Sequence, residues 1–452
     1  MLTAPRVNSM ELLRRYDTEG PRYTSYPTVP AWSNAFGHPD FASALRATGE
    51  AGAPLELYVH CPYCAAKCFY CGCNALTTSR PELIDQYLDD LETEIETVTQ
   101  SLGKGKDVIQ LHWGGGTPNH LDERQLQRAF GMLASHFTFL PNAELSVEAD
   151  PRLVSREQLR TLYALGFRRL SFGVQDLDPQ VQEAIGRVQS FAMVQDVVAA
   201  AREAGFEAIN LDLIYGLPRQ TQESFGRTIQ QVLTLAPDRV ACFGYAHMPA
   251  QRPHQRLIEQ DDLPDGSARF ALLRQAVSAF TSADYAWIGL DHFARADDPL
   301  AVAQRNGVLH RNFMGYTTRA GQHLLGLGMS AISEIEGTFA QNASALPEWR
   351  SSIRSGRLAT VRGHTLSDDD RARQAAILRI MCDLELRIEE IPRGIEDLDA
   401  RLAPFVADGL VVQHVDRIEV TALGRYFLRN ICAVFDAYLP AQRAAGRFSR
   451  TI

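Results

Sequence analysis

The stretch Tyr58-Val59-His60-Cys61-Pro62-Tyr63-Cys64-Ala65-Ala66-Lys67-Cys68-Phe69-Tyr70-Cys71-Gly72-Cys73-Asn74 decides how this chain is read. It overlaps Leu55–His60, which is apolar on both parities and reads as a strand buried on two faces. Thiolates at CxxxCxxC spacing, here Cys64, Cys68 and Cys71, can converge on three irons of a cubane [4Fe–4S] cluster. The fourth iron then stays open. It can chelate the amino and carboxylate groups of S-adenosylmethionine, and reductive cleavage of the sulfonium yields a 5′-deoxyadenosyl radical. The competing reading is a structural zinc site, because four cysteines can close a tetrahedron. Zinc knuckles set two CxxC pairs across a longer loop, and this segment does not. Cys61 and Cys73 stay open as a fourth ligand, a spare or a structural thiol. Tyr58, His60 and Tyr70 suit the wall of a cofactor cavity; His60 is equally a packed strand histidine.

Working outward, the chain has 452 residues and eight cysteines, of which five lie between Cys61 and Cys73. A tight cluster behind an N-terminus, Met1 to Arg15, without an apolar secretory core predicts metal or redox chemistry in the reducing cytoplasm. No run of about 18 apolar residues occurs, so no membrane span is expected. A formal charge of −9 excludes non-specific nucleic-acid binding as the main task, although a local basic site for an anionic small molecule remains open.

Further strand candidates are Val108–Trp113, Glu144–Glu148, Arg169–Val174, Ala208–Ile214, Arg239–Tyr245 and Tyr285–Leu290, with helical patterns between them. Ser79-Arg-Pro-Glu82 reads as a capping box before a helix carrying Leu88, Leu91, Ile95, Val98 and Leu102. Repeated strand–helix units predict an α/β chain with a parallel sheet curled into a partial (β/α)6-type barrel. Chemistry then belongs at the C-terminal strand ends. The cysteines follow the first strand, His112-Trp-Gly-Gly-Gly-Thr-Pro118 the second, Glu148-Ala-Asp150 the third, and Gln175 and Arg187 the fourth; Asp212 lies in the fifth. Adjacent glycines let a ligand approach the backbone, carboxylates can hold ribose hydroxyls, and an arginine can pair with a carboxylate. Each of these residues alone is as well explained by a turn or a cap.

Residues 1–54 form an N-terminal segment without a clear period, in which Tyr23 and Tyr26 could belong to a lid over the barrel. Residues 55–361 are the expected barrel. Residues 362–452 read as a mainly helical, winged-helix-like C-terminal domain. Its marks are an N-cap at Ser367, a hairpin from Leu410–Val412 and Ile418–Val420, and a helix carrying Phe427, Ile431 and Phe435.

The cysteine motif behind Tyr-Val-His, the Trp113-Gly-Gly-Gly-Thr-Pro118 run and Gly20-Pro-Arg-Tyr-Thr-Ser-Tyr-Pro27 together resemble the oxygen-independent coproporphyrinogen III oxidase family of radical S-adenosylmethionine enzymes. The likeness continues through Asp212-Leu-Ile-Tyr-Gly-Leu-Pro218, Tyr245-Ala-His247, Asp291-His-Phe-Ala294, His310-Arg-Asn-Phe313 and Phe448-Ser-Arg450, so it covers nearly the whole chain. The resemblance implies one cluster, two S-adenosylmethionine molecules, and oxidative decarboxylation of two propionates of coproporphyrinogen III to vinyls. It implies that Tyr58, Gly115, Glu148 and Ile332 hold the cluster-bound cofactor. Tyr70, Gly116, Thr117, Gln175, Arg187, Asp212 and Ala246 would hold the second. Tyr58, His60 and Arg22 are the candidate catalytic residues, and Arg22 and Arg311 suit substrate carboxylates. A monomer served by a donor such as flavodoxin or ferredoxin is expected.

Three departures from the family pattern stand out. Tyr70 replaces a Phe, Cys61 an aliphatic residue, and Met314 a Gln. Met314 supports a rival on the same scaffold, a radical methyltransferase or cyclopropanase. A haem-binding chaperone is a second rival, opposed by the long N-terminal segment and Cys73. A DNA-reading winged helix is a third, opposed by the acidic residues around Arg371, Arg373 and Arg379.

Overall fold

Residues 9–319, 323–443 and 448–451 are described by a computed structural model. Among them, one sheet of twelve strands organises the chain. These are β1 Leu55–Cys61, β2 Asp107–Gly115, β3 Thr138–Ala149, β4 Arg169–Gln175, β5 Ala208–Tyr215, β6 Arg239–Gly244, β7 Tyr285–Ile288, β8 His292–Arg295, β9 His323–Leu327, β10 Ile332–Ile335, β11 Thr338–Asn342 and β12 Thr360–Thr365. Their spatial order is β12-β11-β10-β9-β1-β2-β3-β4-β5-β6-β8-β7. β9 and β1 to β6 run parallel. Helices Pro81–Leu102, Glu123–His136, Arg156–Ala164, Phe191–Glu203, Gln222–Thr234 and Gly266–Ser282 follow β1 to β6 in turn. The two edges, β12 and β7, do not pair with each other, so the (β/α)6 unit is a partial barrel.

Strand parity sets what faces inward. On β1, Leu57, Val59 and Cys61 enter the apolar core against the helices, whereas Tyr58 and His60 line a cavity on the other face. The core under the helix after β1 holds Leu88, Leu91, Ile95, Val98 and Leu102, as their spacing predicts.

Several expectations are corrected. Tyr285–Leu290 does not continue the parallel series. β7 pairs antiparallel with β8 across Gly289-Leu290-Asp291, a link too short for a parallel crossover. Ser79 caps nothing: the helix starts at Pro81 behind Arg80, without a side-chain cap bond, and proline at the first position removes one N–H that would need an acceptor. The helix expected through Phe427, Ile431 and Phe435 is broken into turns Gly424–Phe427 and Ala433–Phe435 around a short helix, Leu428–Cys432. β12 runs past residue 361, so the sheet extends beyond the expected barrel limit.

The C-terminal region keeps its predicted cap: Asp370 N donates to Ser367 Oγ at 3.1 Å, opening the helix Asp368–Asp383. Its hairpin, Val411–Gln413 with Arg417–Val420, gains a third strand, Glu385–Arg387. The N-terminal segment contains helices Ser9–Tyr16 and His38–Ala51, neither expected from periodicity; residues 1–8 lie outside the described residues. Leu12, Leu13, Tyr16, Tyr23 and Tyr26 sit in one core with Ile377, Leu386 and Phe427 of the C-terminal region. Tyr23 Oη donates to Asp436 at 3.1 Å, and Tyr26 Oη accepts from Ala437 N at 3.1 Å. The two tyrosines pack in a second core.

Candidate active site

The cysteine loop leaves β1 at Cys61 and is pinched at its base by the parallel pair Tyr63–Cys64 and Leu76–Thr77. Around it, His254 Nε2 lies 2.7 Å from Cys71 O, Gln255 Nε2 donates to Tyr70 O at 2.9 Å, and Arg252 donates to Asn74 Oδ1 at 3.2 Å. These tethers fix the loop from a neighbouring segment that periodicity could not connect to it.

Cys64, Cys68, Cys71 and Cys73 line one cavity of about 420 Å³ at the C-terminal ends of the strands. Cys61 is buried in the apolar core instead, and burial pushes its thiol up to about 12. Bonding from Cys73 pulls the Cys71 thiol down to about 6 against the cost of its burial. Thr117 Oγ1 donates to Cys64 Sγ at 3.2 Å, and Arg187 Nη1 to Cys68 Sγ at 3.6 Å. Burial outweighs the Thr117 bond and pushes the Cys64 thiol up; such donors favour the sulfur once it is deprotonated as a ligand. Among the described residues no three His, Cys, Asp or Glu side chains converge to hold one metal ion. A cubane spreads its thiolates over three irons, so this set fits a cluster without such convergence.

The glycine run supplies the cradle. Gly115 has φ +111°, and a Cβ there would fall 2.5 Å from the His60 ring; one on Gly116 would fall 2.6 Å from Pro62 O. No side chain fits between these backbones and the neighbouring loop. Gly115 N donates to Glu148 Oε2 at 3.0 Å, and His112 Nε2 lies 3.4 Å from Oε1. Burial opposes ionisation of Glu148, but these two partners outweigh it and hold the carboxyl below its usual range. Asp212 goes the other way: burial, then the Glu148 charge, push it up to about 6. Ser171 Oγ and Asn210 Nδ2 donate to its oxygens at 3.1 and 2.7 Å.

His60 Nε2 lies 2.9 Å from Asn74 O and Nδ1 lies 3.0 Å from Tyr58 Oη. A carbonyl only accepts, so Nε2 carries the proton and Tyr58 donates to Nδ1. Burial lowers the His60 pKa, so the ring is neutral. His60 thus orients Tyr58 and pins the cysteine loop; it has no free nitrogen for acid–base work. Arg187, expected to meet a ligand carboxylate, lies 3.1 Å from Asp150 and donates to Gly173 O at 2.7 Å, while its buried Nε has no partner. Arg152, ion-paired with Asp150 at 2.6 Å beside Cys68, was not singled out; its place two residues beyond Asp150, already named at that strand end, was the available signal. Gln175 sits at φ +66° on a β4 irregularity, unusual for a residue with a side chain.

The two residue sets expected around two cofactors fall on two adjoining cavities that overlap at Gly115 and Glu148. Tyr58, Gly115, Glu148 and Ile332 line a cavity of about 330 Å³. Tyr70, Gly116, Thr117, Gln175, Arg187, Asp212 and Ala246 all line the 420 Å³ cavity, and so does Arg22. Gly72, Cys73, Gly115 and Glu148 belong to both. Met314 and Phe313 lie in the wall of the smaller one. Arg311 lies apart from both, over the Tyr316 ring and 3.9 Å from Asp291.

Residues 58–232 match the family model of the radical SAM superfamily, and residues 366–427 that of the HemN C-terminal domain. The oxygen-independent coproporphyrinogen III oxidase of Escherichia coli strain K12 is 44% identical over 98% of both chains, and that of Pseudomonas aeruginosa is 43% identical over 98% of both. A solved structure described as coproporphyrinogen III oxidase (HemN) from Escherichia coli, a radical SAM enzyme, superposes with a TM-score of 0.89 at 42% identity. It covers 95% of this chain and 99% of its own. The chain belongs to the oxygen-independent coproporphyrinogen III oxidase family of the radical S-adenosylmethionine superfamily.

Proposed function

We propose that the chain converts two propionate side chains of coproporphyrinogen III to vinyls by anaerobic oxidative decarboxylation, giving protoporphyrinogen IX for haem biosynthesis. Membership of the superfamily implies a [4Fe–4S] cluster and S-adenosylmethionine. In this reading Cys64, Cys68 and Cys71 ligate the cluster and two S-adenosylmethionine molecules occupy the abutting cavities. The observation that carries it is the division of two residue sets between two cavities that meet at Cys73, Gly115 and Glu148.

When bound, the cluster and cofactor would supply hydrogen-abstracting radical chemistry at a propionate β-carbon; release of carbon dioxide to leave a vinyl then requires a one-electron acceptor supplied from outside the chain. The chain's part is placement. Glu148 is held ionised beside Gly115, where an acceptor suits cofactor hydroxyl and ammonium groups. Tyr58 is aimed by His60. Arg22 is half-buried at the cavity wall, with Nη2 on Gly244 O at 2.5 Å and its remaining donors available to a substrate carboxylate. Cys73 stays beside the ligand triad as a fourth thiol. The electron donor, in this reading, is a flavodoxin or ferredoxin, and the enzyme is a cytoplasmic monomer. Among the described residues no helix is long and apolar enough to cross a membrane.

Anaerobic reconstitution with coproporphyrinogen III and S-adenosylmethionine tests this. The expected result is two carbon dioxide released per protoporphyrinogen formed. A methylated product without carbon dioxide would replace the proposal with methyl transfer, and haem capture without cofactor cleavage would replace it with a chaperone role.

A further inference from the structure

Behind Arg22, a small cavity of about 30 Å³ abuts the 420 Å³ one, sharing Arg22, Gly244 and Tyr245 with it. Arg269, Arg425, Arg429 and Arg450 bring the guanidiniums that line it to five; Arg450 is paired with Asp17 at 2.7 Å, which leaves Arg22, Arg269, Arg425 and Arg429. All four bond to backbone carbonyls: Arg22 to Gly244 O, Arg269 to Tyr245 O at 2.9 Å, Arg425 to Gly289 O at 3.1 Å and Arg429 to Pro21 O at 2.9 Å. None forms a salt bridge with a carboxylate among the described residues. The acid that faces them, Asp291, already accepts from His292 Nδ1 at 2.8 Å and lies 3.9 Å from Arg311. Arg269 Nε is buried and has no acceptor. Four cations packed around one committed carboxylate leave positive charge uncompensated, a costly arrangement that an incoming anion would relieve. Burial and the neighbouring Arg22 accordingly pull Arg429 down to about 9. About 10–15 Å³ of such cavity space admits one water, so the cavity takes a carboxylate tip and not a ring.

We propose that this guanidinium annex binds a carboxylate arm of the substrate that is not being decarboxylated, and so fixes which arm lies in the main cavity. The inference rests on the reading of the substrate as a propionate-bearing tetrapyrrole, and it adds Arg269 as a specificity-determining residue. Arg269 leads because it has an unused donor, whereas the bonds of Arg429 clamp the Gly20–Pro21 backbone. The annex recognises charge, so an ester of the same arm should lose the contact.

Binding is measured by porphyrin fluorescence on the reconstituted full chain, with coproporphyrin III and its uncharged tetramethyl ester as probes. Wild type should prefer the acid by about tenfold or more, Arg269→Gln should remove most of that preference, and Arg269→Lys should restore part of it. In turnover, Arg269→Gln should raise KM more than it lowers kcat. An acid-to-ester ratio in Arg269→Gln equal to that of wild type overturns the inference, even where wild-type enzyme makes the vinyl product. Wild type that makes no vinyl product overturns the functional reading instead, and the probe ratio, which needs no turnover, still decides the annex. Should Arg269→Gln fail to fold, the same ratio is read on Arg425→Gln.

Discussion

At the scale of single residues, the end of β1 separates the cysteines: Cys61 is its last residue, and the others lie in the loop beyond it. Cys61 is on the core side, and Cys64, Cys68 and Cys71 face the cavity. Anaerobically reconstituted wild type should bind about four irons per chain. Alanine at Cys64, Cys68 or Cys71 should lower that count sharply, while Cys61→Ala should leave it unchanged; iron analysis beside sulfide analysis reads both. The spacing in the sequence selected the triad but left Cys61 undecided, because a strand's facing is fixed only once its partners are known. A second residue-scale prediction concerns Glu56. It is buried with Asn312 Nδ2 on one oxygen at 2.9 Å and no partner on the other. Burial, then the Glu334 charge, push it from its usual 4.5 up to about 8. Between those values the unfolded chain binds fewer protons than the folded one, so stability is fully present below 4.5 and is lost as pH rises through 8. The slope for one such group is at most about 1.4 kcal/mol per pH unit. Glu56→Gln cannot ionise, so its melting temperature should fall less than that of wild type between about pH 5.5 and about pH 8. Equal slopes would mean that Glu56 is ionised in the fold.

Single elements were legible where their period was long and unbroken. Strands β1 to β6 follow from runs apolar on both parities, with helical patterns between them, although β3 begins at Thr138, six residues before the run Glu144–Glu148. Strands β9 to β12 were not read: each is six residues or fewer, Gly326 and Gly363 fall inside β9 and β12, and β10 and β11 are four and five residues joined at Glu336-Gly337. They matter for the site, since Ile332 at the start of β10 lines the smaller cavity. What holds the turn before β10 is a set of long-range bonds invisible to local pattern. Tyr87 Oη donates to His60 O at 2.7 Å and accepts from Met329 N at 3.3 Å. Glu94 accepts from Gly328 N at 2.6 Å. Gly328 has φ +94°, and a Cβ there would lie 2.4 Å from Tyr87 Oη, so the contact admits only glycine. Tyr87→Phe keeps the ring but leaves a buried carbonyl and a buried N–H short of a partner, at a cost of about 1–3 kcal/mol. It should lower the denaturant midpoint accordingly. It should also weaken S-adenosylmethionine binding to the reconstituted protein, because both ends of the tie sit beside the Ile332 cavity. A stability loss with unchanged cofactor affinity would confine the tie to structure.

For the whole molecule, the chain's first thirty residues and its last eighty share one core, which no local reading of either could reveal. Arg15 and Tyr16 both donate to Asp408, at 2.6 Å in each case, across nearly four hundred residues of sequence. Arg429 donates to Pro21 O and to Arg450 O, tying both termini beside the barrel mouth. The Gly20–Pro27 stretch stood out in the sequence as part of the family pattern, but its packing partner lies far along the chain. This closure carries Arg22 to the cavity: the residue is placed by a core built largely from the C-terminal region. Removing residues before 30 should therefore uncover Ile377, Leu386 and Phe427 and lower the melting temperature of the whole chain, with aggregation on heating. The milder Asp408→Asn, which weakens the charge-assisted bonds from Arg15 and Tyr16, should shift the melt in the same direction by a smaller amount. Scanning calorimetry of both proteins decides the point. A truncated chain that melts like wild type while losing turnover would make the segment a cover over the site, whereas the shared core requires that stability and turnover fall together.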